Sequence, residues 1–271
     1  GHYVLIGERR YPRPPADGSV AAAGGKLTET CQGRIMDLLV ITQAFFMLGF
    51  VAMAAGTLYF VLERGDLKPE HRIAATYAGI ITFIAAIMYW TMTGVVNFFD
   101  QGSASASDVS ATMPLRYIDW LLTTPLLLVE FGLIVAIAGA ASKGFVTRLV
   151  IADIIMIATG YLGEIGMEGD MSTIVWFVIS SLAWLYIVYA VFQIKIDGMP
   201  EYAASAVKIM RRFVMLGWAI YPIGTAIEEF MKLGGADVTN AVAIAAIVYV
   251  IADVLNKVGF GMVAVNAAKK A

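Results

Sequence analysis

Lys257 is a lone lysine in a long apolar run, four residues after an equally isolated aspartate, in Val248-Tyr249-Val250-Ile251-Ala252-Asp253-Val254-Leu255-Asn256-Lys257-Val258-Gly259-Phe260. The surrounding stretch, about 238–268, is long enough to cross a bilayer, and Lys257 falls near its middle. A charged lysine at the bilayer centre costs about 2.5 to 3.5 kcal/mol even on the lenient insertion scale. An ion pair, a water-filled path or a covalent bond to the amine would offset that cost. A Schiff base with an aldehyde is the covalent route, and in protonated form it still needs an anion. Asp253 lies one helical turn away, where residues i and i+4 meet. On these two residues two readings stand open. One is a buried ion pair that orients helices, a poor stability device; the other is an amine kept for chemistry.

A second constellation lies in Arg116-Tyr117-Ile118-Asp119-Trp120-Leu121-Leu122-Thr123-Thr124-Pro125-Leu126-Leu127-Leu128-Val129-Glu130. At 100° per residue Arg116, Asp119, Thr123 and Glu130 share one stripe of a helix. Asp119 and Glu130 are three turns apart, about 16 Å along the axis at about 1.5 Å per residue. Two carboxylates stacked along a membrane helix, with a hydroxyl between them and a cation beyond, have the layout of a proton path. A carboxyl surrounded by hydrocarbon keeps its proton, whereas one beside a fixed cation ionises readily. Ionisable groups inside a membrane segment point to function before structure.

The elements that must position these groups follow from composition. Apolar residues fill 59% of 271 positions, charged residues only 15%, and mean hydropathy is +0.76. A soluble domain carries about a quarter charged residues, so the chain reads as an integral membrane protein with the lipid bilayer as its first partner; an all-α, multi-pass protein of the plasma membrane is expected. A net charge of −2 and the lack of a basic stripe argue against a nucleic-acid partner. Cys31 is the single cysteine, and His2 and His71 are the only histidines, which removes intramolecular disulfides, thiol-rich metal sites and most histidine-based catalysis.

Seven apolar runs, 35–63, 73–99, 114–138, 145–165, 172–194, 209–231 and 238–268, each approach the roughly 20 residues that a membrane helix needs. Breakers separate them: 64–70, 101–108, 197–200 and Gly234-Gly235. No internal repeat suggests a transporter built from inverted halves. Residues 1–33, with Pro12, Pro14 and Pro15 and no apolar signal-peptide core, read as an exposed extracellular tail ahead of a seven-helix domain over 34–271.

Loop charges set the expected orientation. The loops after helices one, three and five, with the C-terminus, hold Arg64, Lys68, Arg72, Lys143, Arg148, Lys195, Lys208, Arg211, Arg212, Lys269 and Lys270; the alternate loops hold only Lys232. The C-terminus is therefore expected in the cytoplasm and the N-terminus outside, although Arg9, Arg10, Arg13, Lys26 and Arg34 of the tail argue the other way. In this orientation Arg116 faces outward, Asp119 lies near mid-membrane and Glu130 lies toward the cytoplasm.

Taken together, the Arg-Tyr-Ile-Asp-Trp-Leu-Leu-Thr-x-Pro motif with Glu130, Trp218-Ala219-Ile220-Tyr221-Pro222, and Asp253-x-x-x-Lys257 resemble the microbial (type 1) rhodopsins, and among them the proteorhodopsin-like bacterial proton pumps. The resemblance spans about 35–268. It implies all-trans retinal joined to Lys257 as a Schiff base. It also implies Asp119 as counterion and proton acceptor, Asp253 as second counterion, Glu130 as cytoplasmic proton donor and Arg116 as the cation of the outer gate. Tyr117, Trp120, Thr123, Thr124, Leu127, Met156, Gly160, Ser180, Ser181, Trp184, Trp218, Tyr221, Pro222 and Asn256 fall at its pocket positions. Leu127 occupies the colour-tuning place, where leucine implies green absorption.

The function implied is a light-driven outward proton pump, a transporter and not an enzyme, with protons and further copies of the chain as partners. A sensory photoreceptor acting through a partner and an inward proton pump are the alternatives. Glu130 favours the pump, because reprotonation from the cytoplasm calls for a carboxyl donor there. Aspartate at 119 argues against a chloride pump. The combination of Asp119, Thr123 and Glu130 does not match the sodium pumps. The chain also departs from the pattern. The family's helix-two histidine beside the counterion is expected at Tyr89, and Phe177 replaces the helix-five glycine that opens a carotenoid window, so a carotenoid antenna is not expected. Asp153 reads as a protonated structural group, and Glu228 and Glu229 as a solvated helix end.

Overall fold

The computed structural model describes the backbone of residues 3–6, 9–12, 19–166 and 169–271, and the side chains of residues 38–166, 173–228, 230, 231 and 233–271. Among the described residues, seven helical rods follow one another. Helix one is Ser19–Glu63, helix two Arg72–Val95, helix three Met113–Ile137, helix four Phe145–Glu164 and helix five Gly169–Phe192. Helix six runs Glu201–Arg212, passes through a π-helical turn at Phe213–Gly217 and resumes as Ile220–Leu233. Helix seven runs Val238–Val254, a second π-helical turn at Leu255–Gly259, and Phe260–Lys270.

Each rod packs against its neighbours in chain order and helix seven closes the ring on helix one. Helices three and seven also touch across the bundle and both reach helix six. The two helices that carry the ionisable groups are thereby brought face to face. Side chains are distributed inside out relative to a soluble protein. Leu58, Leu62 and Leu182 are more than half exposed on the perimeter, while Gln43, Thr82, Asp119, Glu130, Asp253 and Lys257 are buried. Among the described residues six rods are long and apolar enough to cross a membrane. This is the pattern of a multi-pass membrane protein, in which helices satisfy their own backbone hydrogen bonds and polar side chains turn inward.

Three boundaries differ from expectation. Helix six starts at Glu201, not 209. Its first turns bury Ala203, Ala206, Val207 and Met210 at helical spacing and leave Glu201 and Lys208 exposed, so they form an amphipathic stretch that a search for apolar runs passes over. The expected loop 101–108 holds the start of a short helix, Ala106–Ser110. Ser105 Oγ accepts from the Asp108 N–H and the Asp108 carboxylate accepts from the Ser105 N–H, a reciprocal cap. Helix one begins at Ser19, so the boundary expected between 33 and 34 falls inside it. Ahead of it Tyr3–Ile6 and Arg9–Pro12 pair antiparallel, Tyr3 opposite Pro12 and Ile6 opposite Arg9. The expected exposure of the tail lies outside the described residues.

The loop between helices two and three is pinned from helix one. Gln43 is fully buried, and its amide nitrogen lies 2.7 Å from the Val96 carbonyl and 3.0 Å from that of Asn97. Its amide oxygen accepts from the Gly102 N–H at 3.2 Å. Asn97 takes a left-handed conformation there, φ 52°, which asparagine tolerates better than most residues. This clamp sets where helix three enters the bundle, and so where Arg116 and Asp119 stand.

Candidate functional site

At the centre of the bundle Lys257 Nζ donates to Asp119 Oδ2 at 2.5 Å and to Asp253 Oδ1 at 3.2 Å. All three side chains are about 1% exposed or less. The spacing of four expected between Asp253 and Lys257 does produce contact, although Lys257 itself lies in the π-helical turn. The carboxylates differ in what they receive. Asp253 also accepts from Tyr89 Oη at 2.6 Å, Tyr221 Oη at 2.7 Å and Trp120 Nε1 at 3.1 Å. Asp119 Oδ2 has Lys257, and its Oδ1 receives no hydrogen bond from the protein. Tyr89 was expected beside Asp119 in the place of an imidazole. Instead its hydroxyl goes to Asp253, because helix two meets helix seven at this level and the phenol reaches across to the nearer carboxylate.

The stripe on helix three holds as expected: Arg116, Asp119, Thr123 and Glu130 are all buried, while Ile118, Leu121 and Leu122 face outward. The Thr123 hydroxyl bonds back to the Asp119 carbonyl at 2.8 Å, which leaves it off the carboxylate. Glu130 is fully buried among Leu127, Phe131 and Ile134, and neither carboxyl oxygen has a protein hydrogen-bond partner. Arg116 Nη2 donates to Thr112 Oγ1 at 2.7 Å. Its guanidinium lies 5.0 Å from the Tyr249 ring centre and 5.7 Å from that of Phe46, within cation–π range. Among the described residues it makes no ion pair with Asp119 or Asp253 within 4.0 Å. Asp153 meets the Thr124 hydroxyl at 2.8 Å.

Over residues 40–271 the chain matches the family model described as bacteriorhodopsin-like protein. The chain belongs to the bacteriorhodopsin-like family. It is 33% identical over 242 residues to the green-light absorbing proteorhodopsin of a Gamma-proteobacterium, covering 88% of this chain and 90% of that one. The bacteriorhodopsin of Halobacterium salinarum is 32% identical over 220 residues, covering 80% and 79%. The crystal structure of Exiguobacterium sibiricum rhodopsin superposes with a TM-score of 0.74 at 41% identity, covering 86% of this chain and 97% of that one.

In this rhodopsin the remaining positions form two adjoining apolar groups. Trp120 and Tyr249 pack in one, Leu127 and Trp218 in the other, and half-buried Met156 and Tyr221 join both. Tyr117 and Tyr221 lie 5.0 and 4.9 Å from the Trp120 ring. The Trp184 indole donates to the Val214 carbonyl at 3.0 Å, and the Ser180 hydroxyl to the Met156 carbonyl at 2.7 Å. Gly160 faces Ser180 and Tyr117, whose nearest atoms would stand 3.4 Å from an added methyl. Asn256 donates to the Gly217 carbonyl at 2.9 Å. Ser181 and Pro222 are half-buried. Phe177 lies on the perimeter, 47% exposed. Two contributors escape a reading of the sequence, Thr112 and Tyr249. The second left a signal: Tyr249, Asp253 and Lys257 recur every four residues, so the face that carries the amine also carries the phenol beneath Arg116.

Glu228 and Glu164 flank this end of the bundle, and the Thr225 hydroxyl links Glu164 Oε1 at 3.3 Å with Tyr249 Oη at 2.8 Å. The side chain of Glu229 lies outside the described residues.

Proposed function

We propose that the protein is a light-driven outward proton pump that carries all-trans retinal on Lys257. The observation that carries this reading is a buried amine held between two carboxylates of unequal hydrogen bonding, in a bundle that also buries a third carboxyl, Glu130, to which no described protein group donates. The residues suit retinal. The only reactive nitrogen in the described core is Lys257 Nζ, and the flat walls of Trp120 and Trp218 suit a long polyene. The Trp218 indole N–H also makes no protein hydrogen bond. Bound through a Schiff base, retinal supplies light absorption and an isomerisation that re-aims the N–H at Lys257.

The protein's own groups divide the work. Asp253 accepts from Tyr89, Trp120, Tyr221 and Lys257, so its anion is stabilised throughout and serves as the standing counterion. Asp119, which Lys257 Nζ meets directly and to which fewer protein donors point than to Asp253, takes the proton released there. Arg116 stands on the far side of Asp119 from Glu130 and biases departure of that proton toward its own end. Glu130, in apolar surroundings, holds a proton and returns it to Lys257 Nζ when water reaches it. Asp153, tied to Thr124, stays out of the path.

With the loop charges setting the Arg116 end outside, the cycle moves one proton outward. Illuminated cells supplied with retinal should acidify a lightly buffered medium, and a protonophore should abolish the signal. Alkalinisation that a protonophore abolishes would establish the inward direction. The absence of any pH change, with normal colour, would favour a sensor.

A further inference from the structure

Helices six and seven are both widened into π-helical turns, Phe213–Gly217 and Leu255–Gly259, and the two turns meet. A π turn replaces i→i−4 bonds by i→i−5 bonds, as in Trp218 N–H to the Phe213 carbonyl at 3.0 Å, and leaves carbonyls to be satisfied from outside. The carbonyls are met by side chains of other helices: Val214 by the Trp184 indole at 3.0 Å, and Gly217 by the Asn256 amide at 2.9 Å.

The contact between the turns is reciprocal. A methyl on Gly217 would stand 2.0 Å from Asn256 Oδ1, and one on Gly259 would stand 3.2 Å from the Phe213 ring. Each turn thus ends in a glycine that admits a side chain of the other. The same amide lies 3.3 Å from Tyr221 Oη, which itself donates to Asp253 Oδ1 at 2.7 Å. A continuous set of bonds therefore runs from the anion beside Lys257, through Tyr221 and Asn256, to the backbone at the end of the helix-six π turn. Asn256 is also the residue before Lys257 in the chain, and it is 1% exposed.

We propose that Asn256 and Gly217 are positioning residues that latch the two π turns together and couple the Lys257 site to the segment Glu201–Arg212 of helix six. A helix freed at a π turn can swing about it without breaking either flanking α-helix. The latch keeps that segment against the bundle in the dark, and so keeps water from Glu130. Loss of the Asn256–Gly217 bond releases it. This rests on the pump reading for its purpose, but not for its observable.

The test is a distance measurement in the full-length, retinal-loaded protein with Cys31→Ser, spin-labelled through Lys208→Cys on helix six and Thr147→Cys on helix four, both exposed positions. The wild-type latch should give one distance population in the dark. Asn256→Ala should raise a longer-distance population about five- to tenfold, the scale of one buried hydrogen bond. Gly217→Ala should raise it further, because the methyl also wedges against Asn256 Oδ1. The double variant Gly217→Ala/Asn256→Ala should fall back to the level of Asn256→Ala alone, since the atom that the methyl strikes is gone. Reprotonation of Lys257 Nζ after a flash should quicken in the same order.

Far-UV circular dichroism of each variant, independent of the pigment, checks that the bundle is folded, so the distances report the latch whether or not the colour changes. Unchanged distances in Asn256→Ala, or a double variant whose effect is the sum of the singles, would overturn the latch. A chain that moves no protons yet shows this pattern would retain the latch and lose the pump.

Discussion

The two halves of the bundle core treat their carboxyl groups in opposite ways. In the half nearer Arg116, Asp253 accepts from two phenols, an indole and an amine, and the arginine is itself held by Thr112 and two rings. In the other half Glu130 sits among Leu127, Phe131 and Ile134 with no hydrogen bond to either oxygen. Donors stabilise an anion and fix its geometry, whereas an apolar site favours the neutral acid. One half therefore surrounds its carboxylate with donors, and the other gives its carboxyl none from the protein. Asp119 lies at the join, with Lys257 as the protein donor to its Oδ2.

The contrast can be broken most completely at Lys257. Lys257→Ala should abolish visible absorption in cells supplied with retinal; a coloured variant that hydroxylamine bleaches would place the attachment elsewhere. At the join, Asp119→Asn should stop light-driven acidification and shift the absorption to the red, because the nitrogen loses its acceptor and nearest anion. Absorption spectra and pH recordings on the same cells check both parts. In the half that holds Glu130, Glu130→Gln should leave the colour nearly unchanged and slow reprotonation of Lys257 Nζ by roughly a hundredfold or more, the usual scale for a lost general acid. Added azide, a mobile proton carrier, should restore the rate, and normal turnover without it would remove Glu130 from the path. The smallest effect belongs to the saturated half. Tyr89→Phe removes one of four donors to Asp253, which costs on the order of 1.5 kcal/mol for a hydrogen bond to a charged group. It should lower the midpoint of thermal bleaching while pumping continues, and a full loss of pumping would mean that Tyr89 does more than hold Asp253.

Much of the site was legible along the chain because it is periodic. Arg116, Asp119, Thr123 and Glu130 fall on one buried stripe, and Asp253 meets Lys257 at the expected spacing. Five of the seven rods both begin and end within a few residues of their apolar runs, because hydrocarbon selects uninterrupted apolar length. Helix six is the instructive exception. Its first turns are amphipathic, so their burial pattern is helical but their composition is not that of a membrane span.

The amino-acid sequence by itself determined the class, the helices and which face of helices three and seven is polar, since each depends on near neighbours and on a repeat of 3.6 residues. Only the tertiary structure decided which carboxylate each donor serves. Tyr89 lies 164 residues from Asp253 in the chain and Trp120 lies 133 from it, and no local periodicity relates groups so far apart. Their pairing is set by the packing of helix two and helix three against helix seven. The two π turns belong to the same class of decision. Nothing in Phe213–Gly217 or Leu255–Gly259 read alone requires a widened helix. In the helix-six turn the Val214 and Gly217 carbonyls are met by Trp184 and Asn256, which arrive from helices five and seven.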